Sequence, residues 1–314
     1  MSQIMRGSLL SLSAALLLLL PWFDGLAEGE VKKGFSDCLR FFYNKKLPTG
    51  LGGDYSNIKE YQPICQRYKK NWRFATLYQK KSRTPLFSAY IMSPAEGGRP
   101  ADPWMYEPQL ANPKSNWEMQ PFQTPVPKDV IESQAVLDDY KNSGFTRGHL
   151  APSSHQNTKE DKEATFTLTN IVPQKEQSNS GPWETWEEKV RKSFKNYCKG
   201  EMYVITGVMP YESNTPLING RVAVPEYIWS AYCCPKYASK LPEKEQKFFP
   251  AYGAVGRNDP NSNEKIVKKT ENYHGYDVRE MPLENLESIL KKRTNRKGDD
   301  VNLFDSKCSK PKNP

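Results

Sequence analysis

An imidazole beside a guanidinium, followed some thirty residues later by an amide and then a carboxylate, is the most chemically loaded set in this chain. The residues are Arg147, Gly148 and His149, then Asn179 and Glu187. Hydrolysis of a phosphate ester needs such parts: a base to take a proton from water, a cation to neutralise the phosphate, and fixed positive groups to hold it. A neutral imidazole is a good base near pH 7. Arg147 can fork onto phosphate oxygens, and Gly148 would let the backbone approach a bulky anion. The amide oxygen of Asn179 suits Mg²⁺, a hard ion that keeps several waters and takes few protein ligands. On a helix, eight residues return to within roughly 80° of the starting direction, so Asn179 and Glu187 would face one cleft. Each residue also has a plainer reading. Taken singly, His149 is a hydrogen-bonding loop histidine, Asn179 a helix N-cap and Glu187 a solvated helix residue.

The elements that must position these residues are legible as patterns. Phe74–Tyr78 and Leu86–Ile91 read as two strands joined by a turn at Lys80–Thr84. Prolines, asparagines and tryptophans from Ser93 to Pro127 predict a long surface loop. Thr165–Val172 alternates polar and apolar residues and predicts a half-buried strand. From Pro182 to Cys198 the period changes: Trp183, Trp186, Val190 and Phe194 mark one face of an amphipathic helix. Its N-terminus, next to Asn179, attracts phosphate. Trp183 and Trp186 belong to the core rather than to base stacking. Met202–Val208 and Ala223–Cys233 are further strands, and strands before and after one long helix give an α+β domain. His155 and His274 read as structural or solvated.

Taken as an ordered set, these segments resemble the non-specific DNA/RNA endonucleases of the ββα-metal class and, within it, the vertebrate endonuclease domain-containing 1 group. The family's Asp-Arg-Gly-His appears as Thr146-Arg147-Gly148-His149, and its Ser-Asn-x-x-Pro-Gln as Thr169-Asn170-Ile171-Val172-Pro173-Gln174. Asn179-Ser180-Gly181-Pro182-Trp183 and Glu187 follow at family spacing, then Tyr203–Gly207 and Arg221–Pro225, so the likeness spans Phe74 to Cys234. The resemblance implies an α+β, ββα-metal fold with a central antiparallel sheet flanked by helices, His149 as general base and Asn179 as the Mg²⁺ ligand. It further implies that Glu187 orients metal-bound water, Arg147 binds phosphate, Arg99 stabilises the pentavalent phosphate and Asn170 supports the site. Mn²⁺ and Ca²⁺ accept the same oxygen ligands. Thr146 departs from the family: it can hydrogen-bond but supplies no charge.

The rest of the chain sets the setting. Arg6, the apolar run Leu9–Leu20 and Gly25-Leu26-Ala27 form a signal peptide over residues 1–27. The run is shorter than the ~20 residues of a membrane span and is interrupted by serines. A secreted, extracellular protein without a stable membrane anchor is expected, with one nuclease domain over 28–290 and a fraying basic tail over 291–314. All six cysteines follow the signal, which favours three disulfides of open pairing. Cys233 and Cys234 point opposite ways in a strand and should bond different partners. The 45 Lys and Arg residues exceed the 36 acids, for a net charge of +9, which concentrates anionic partners, DNA and RNA first among them. The expected activity is metal-dependent, sequence-indifferent endonucleolytic cleavage. Thr146 keeps a rival open: a catalytically weak scaffold that binds nucleic acid or glycosaminoglycan. A structural or immune interaction protein with incidental charge is a third reading.

Overall fold

The two apolar runs beside Lys80–Arg83 pair as predicted. In a computed structural model, which describes residues 34–51, 60–94, 97–101, 104–294 and 300–308, they become the second and third strands of a seven-stranded sheet. We number the strands β1 (Tyr61–Tyr68), β2 (Asn71–Gln79), β3 (Thr84–Met92), β4 (Thr146–His149), β5 (Ile171–Gln174), β6 (Met202–Met209), β7 (Tyr227–Cys233), β8 (Ala251–Arg257) and β9 (Val278–Pro282). The sheet runs β1-β2-β3-β6-β7-β8-β9, with every neighbouring pair antiparallel. Its centre is the β3–β6 pair, whose strands are adjacent in space although residues 93–201 lie between them in sequence. Every candidate site residue is in that crossover. The sheet centre supplies a rigid base, and the excursion from it carries the candidate site residues.

Both faces of the sheet are covered, so its strands bury successive residues into different cores. Ala75, Ala89, Ile205, Trp229 and Val255 pack with Phe35 and Phe42, and with Leu286 and Leu290 of a helix over Leu283–Thr294. Their neighbours Phe74, Tyr90, Val204, Ile228 and Ala254 pack with Trp183, Trp186 and Val190. Those three belong to the amphipathic helix, which runs Pro182–Tyr197 as its period predicts. We label the helices α1 (Lys159–Ala164), α2 (Pro182–Tyr197) and α3 (Leu283–Thr294). Trp183 and Trp186 are core residues, as expected. Fully burying side chains of this size contributes roughly 1.5–3 kcal/mol each. α2 can lie close to the sheet because Gly256 has no side chain: a Cβ there would come 2.7 Å from the Trp183 ring.

Several expectations change. Thr165–Val172 is not a half-buried strand. Leu168–Asn170 is a 3₁₀ turn, only Ile171–Gln174 is extended, and the whole stretch is buried. Its polar residues alternate because the threonines satisfy one another inside. Gln66 donates to Thr169 (2.8 Å), Thr169 meets Thr167 (3.2 Å), and Thr165 donates to the Lys162 carbonyl (2.8 Å). Ala223–Cys233 breaks at Pro225, which lacks an N–H, leaving a two-residue ladder at Val222–Ala223 ahead of β7. The Ser93–Pro127 stretch is not all surface, since Trp104, Met105, Tyr106 and Met119 are buried. Nor do the described residues beyond Lys291, 292–294 and 300–308, form a frayed tail. α3 continues through Thr294, and the Arg293 side chain is 4% exposed, paired with Glu226 (2.9 Å) and Glu264. Val301, Leu303, Phe304 and Cys308 are buried too. The polar composition around them hid four anchors.

Three disulfides form: Cys38–Cys65, Cys198–Cys234 and Cys233–Cys308. The adjacent cysteines take different partners, as strand alternation requires. Among the described residues no helix is long and apolar enough to cross a membrane. The signal peptide expected over residues 1–27 lies outside them.

Candidate active site

β4 and β5 form a short antiparallel hairpin, with Thr146 opposite Gln174 and His149 opposite Ile171. A single helical turn, Glu176–Asn179, leads from β5 into α2. Two strands and a helix thus hold the motif residues. Gly148 has a different reason from the one expected. A Cβ there would stand 2.2 Å from Gln174 Oε1 and 2.7 Å from Gln174 Cβ, so it is the neighbouring glutamine, not an anion, that fills the space. Asn170 fastens the far end of β4. Its Oδ1 accepts from Ala151 N (3.0 Å) and Ser88 Oγ (2.9 Å), and its Nδ2 donates to the carbonyls of Ala151 and Thr165 (3.0 Å each). Every hydrogen-bonding position of that amide is used inward, so none is left for a ligand.

His149 is half-buried, and its Nε2 is sealed from solvent without a hydrogen-bond partner. Aromatic rings fix the imidazole, Phe166 edge-on at 5.0 Å and Trp104 at 5.7 Å. The same two rings seat the arginines. The Arg147 guanidinium lies 4.3 Å over Trp104, and that of Arg99 4.8 Å over Phe166. Burial first, then the positive charges of Arg99 and Arg147, push His149 down to about 3, while a hydrogen bond to the Arg147 carbonyl works against them. The ring is therefore neutral at pH 7, with one nitrogen engaged and Nε2 spare.

Asn179 is not on α2. It ends the preceding turn, and Gly181 stands at the N-cap of the helix, so the helical-phase argument linking it to Glu187 does not apply. Its orientation comes from Thr146. Asn179 Nδ2 donates to Thr146 Oγ1 (3.1 Å), and that hydroxyl donates onward to the Gln174 carbonyl (2.8 Å). The amide nitrogen is held toward β4, which turns Oδ1 away from it. Glu187 makes no hydrogen bond to Asn179 or His149. Burial, and less strongly the charge of Glu184, raise its carboxyl to about 8, while the Trp183 indole N–H, which makes no well-formed hydrogen bond, draws it down. Glu187 is thus not the solvated helix residue that its type alone predicts.

The fold brings Thr146, Arg147, His149, Asn179 and Arg99 to one hairpin and its rim, and places Glu187 on the helix behind. Four participants went unpredicted. Trp104 and Phe166 seat the cations and the imidazole, His155 bonds the Glu187 turn, and Tyr90 bonds His155. Trp104 lies in a stretch that composition marks as loop, and nothing in its spacing points to His149.

The sequence profile of the DNA/RNA non-specific endonucleases matches residues 56–285. The human endonuclease domain-containing 1 protein is 35% identical over 234 residues, 73% of this chain and 43% of that relative. The protein of the same description from Mus musculus is 31% identical over 206 residues, 64% of this chain and 39% of its own length. Human mitochondrial endonuclease G is 37% identical over 75 residues, 24% of this chain and 25% of that relative. The chain spans less than half the length of these curated relatives. The solved EndoG/EndoGI complex has 20% identity and a TM-score of 0.44, covering 64% of this chain and 77% of that one.

Proposed function

This chain belongs to the DNA/RNA non-specific endonuclease family, and from that premise we propose that it hydrolyses phosphodiester bonds of DNA or RNA with the help of a divalent cation. The observation that carries the reading is the spare, sealed Nε2 of a neutral His149 between two guanidinium groups. An unsatisfied buried nitrogen is costly, and a base that must receive a proton needs one. In the proposed reaction His149 Nε2 takes the proton from the attacking water, which meets that nitrogen only once substrate binding opens the cover over it. Arg147 and Arg99 bind phosphate oxygens and the added negative charge of the transition state. Contacts of this kind carry no base information, so specificity is low.

The donor set fits a hard cation. Among the described residues no three His, Cys, Asp or Glu side chains gather to hold a metal, but Asn179 presents an amide oxygen whose direction Thr146 fixes. One neutral protein oxygen, with water for the remainder, suits Mg²⁺, and Mn²⁺ or Ca²⁺ by the same chemistry. A divalent cation there would neutralise phosphate charge and favour the ionised form of Glu187. Glu187 is assigned to hold and orient water. A nicking assay on supercoiled plasmid, with Mg²⁺ and with EDTA, tests the reading: cleavage is expected in the first and none in the second. If neither Mg²⁺ nor Mn²⁺ supports cleavage, Thr146 in place of the family acid gains weight and the chain is a nucleic-acid or glycosaminoglycan binder. Export belongs to the same proposal, supported by the leader-like segment 1–27 and three disulfides. N-terminal sequencing should find a mature start near Glu28, and a cytosolic product retaining Met1 would overturn it.

A further inference from the structure

His155 lies six residues beyond His149, in the turn Ser153–His155 that closes the loop after β4. It is 2% exposed and makes two hydrogen bonds. Its Nδ1 is 2.8 Å from the Tyr90 hydroxyl, and its Nε2 is 3.0 Å from the backbone carbonyl of Glu187. The carbonyl can only accept, so Nε2 carries the hydrogen; Nδ1 therefore accepts from Tyr90. One tautomer satisfies both ends. Tyr90 is 1% exposed and stands on β3, at the centre of the sheet. The backbone of the same turn is pinned as well, since Ser93 N donates to the His155 carbonyl (3.0 Å).

We propose that His155, braced by Tyr90, is a positioning residue that fixes the Glu187 turn of α2 relative to the loop that follows β4 and His149. The proposal rests on the reading of Glu187 as the water-orienting acid. Packing of α2 does not require this link, because Trp183, Trp186 and Val190 already bury the helix against the sheet. Nor does the helix require it, because a mid-helix carbonyl has its own donor four residues on, and the imidazole uses the second lone pair. A buried polar ring is costly unless both nitrogens are satisfied, yet one is placed where the residue bearing the functional carboxylate leaves the helix axis. The loop that follows the base on β4 thus also sets the height of the acid. The Tyr90 hydroxyl lies within reach of the Glu187 charge, which helps to push it upward after burial.

The test uses the full chain and Mn²⁺ as the probe, with variants Tyr90→Phe, His155→Phe, His155→Gln and Glu187→Gln. Two quantities are read: Mn²⁺ affinity by calorimetry, and the metal concentration for half-maximal plasmid nicking. Tyr90→Phe and His155→Phe should weaken both by about 10-fold, the usual cost of losing a group that orients a metal-site residue. Oligonucleotide affinity without metal should not change. His155→Gln, whose amide can donate to the carbonyl and accept from Tyr90, should recover most of the loss. In a Glu187→Gln background His155→Phe should add nothing. An equal further loss there, or unchanged Mn²⁺ response in both phenylalanine variants while Glu187→Gln is impaired, overturns the proposal. Should His155→Phe fail to fold, Tyr90→Phe, which removes one hydroxyl, carries the test. If Glu187→Gln binds Mn²⁺ and cleaves like wild type, the assignment of Glu187 itself has failed, and the positioning role goes with it.

Discussion

His149 can work as a base only while its ring is neutral and its second nitrogen is spare, and both conditions come from its neighbours. Burial and the two arginines keep it neutral, and the aromatic walls leave Nε2 without a competitor. His149→Ala is expected to slow cleavage by at least about 100-fold with oligonucleotide affinity nearly intact; a wild-type rate would mean that water is activated elsewhere. Thr146 has a role beyond filling the acid's place. An amide N–H needs only an acceptor, so a hydroxyl orients Asn179 as a carboxylate could, with one negative charge fewer nearby. Thr146→Val and Asn179→Ala should therefore both raise the metal concentration for half-maximal cleavage, by about 10-fold or more. Binding measured without metal should barely move. An unchanged metal requirement in Asn179→Ala would remove the ligand assignment.

The hairpin is the element on which these residues depend, and its tolerance is small. Gly148 faces Gln174 with no room for a methyl group. Gly148→Ala must separate β4 from β5 or displace Gln174, and overpacking of this kind costs about 1–3 kcal/mol. Thermal melts of Gly148→Ala should show that loss, and nicking should fall further than stability alone explains, because Thr146 and His149 move with the strand. Melts matching wild type would show that Gln174 gives way freely. The helix was legible from its period, but the β4–β5 pairing was not, because Thr146–His149 is too short to show alternation and Thr165–Val172 read as one longer strand. Nor was the junction of hairpin and helix legible. The break at Ser180–Gly181, which takes Asn179 off the helix, depends on how the turn closes over Gln177 and Ser178.

For the molecule as a whole, buried histidines tie stability to pH. Burial leads in lowering His155 to about 4 and His149 to about 3, both below the unfolded value near 6.5. The unfolded chain binds more protons across that window, so their contribution is full above about pH 6.5 and is lost as pH falls toward 4 and 3. Glu187, raised to about 8, acts oppositely, losing its contribution as pH rises from about 4.5 to 8. Denaturant melts from pH 7 to 4 should show a steep loss that His155→Gln makes shallower; equal slopes would mean that the ring does not titrate with unfolding. The chain end is fastened by Cys233–Cys308, which closes a separation of 75 residues from a central strand. Replacing both cysteines with alanine should cost about 2–5 kcal/mol and raise amide exchange over residues 300–308.

Sequence by itself determined the chemistry on offer, the α+β class, the β2–β3 hairpin, the span of α2 and the separate partners of Cys233 and Cys234. Each follows from residue type and local period, which are properties of neighbours along the chain. What brings Arg99 and Arg147 beside His149 is a pair of aromatic seats, Trp104 and Phe166, supplied by other parts of the crossover. The threonines of Thr165–Thr169 looked like a solvent face because alternation records polarity, not where the hydrogen-bond partners stand. In the same way Arg293 and Leu303 looked like tail until Glu226 and the sheet core were placed against them. Only tertiary structure could turn Thr146 into the acceptor that aims Asn179, and His155 into a strut for Glu187, because both depend on contacts between segments some thirty residues apart.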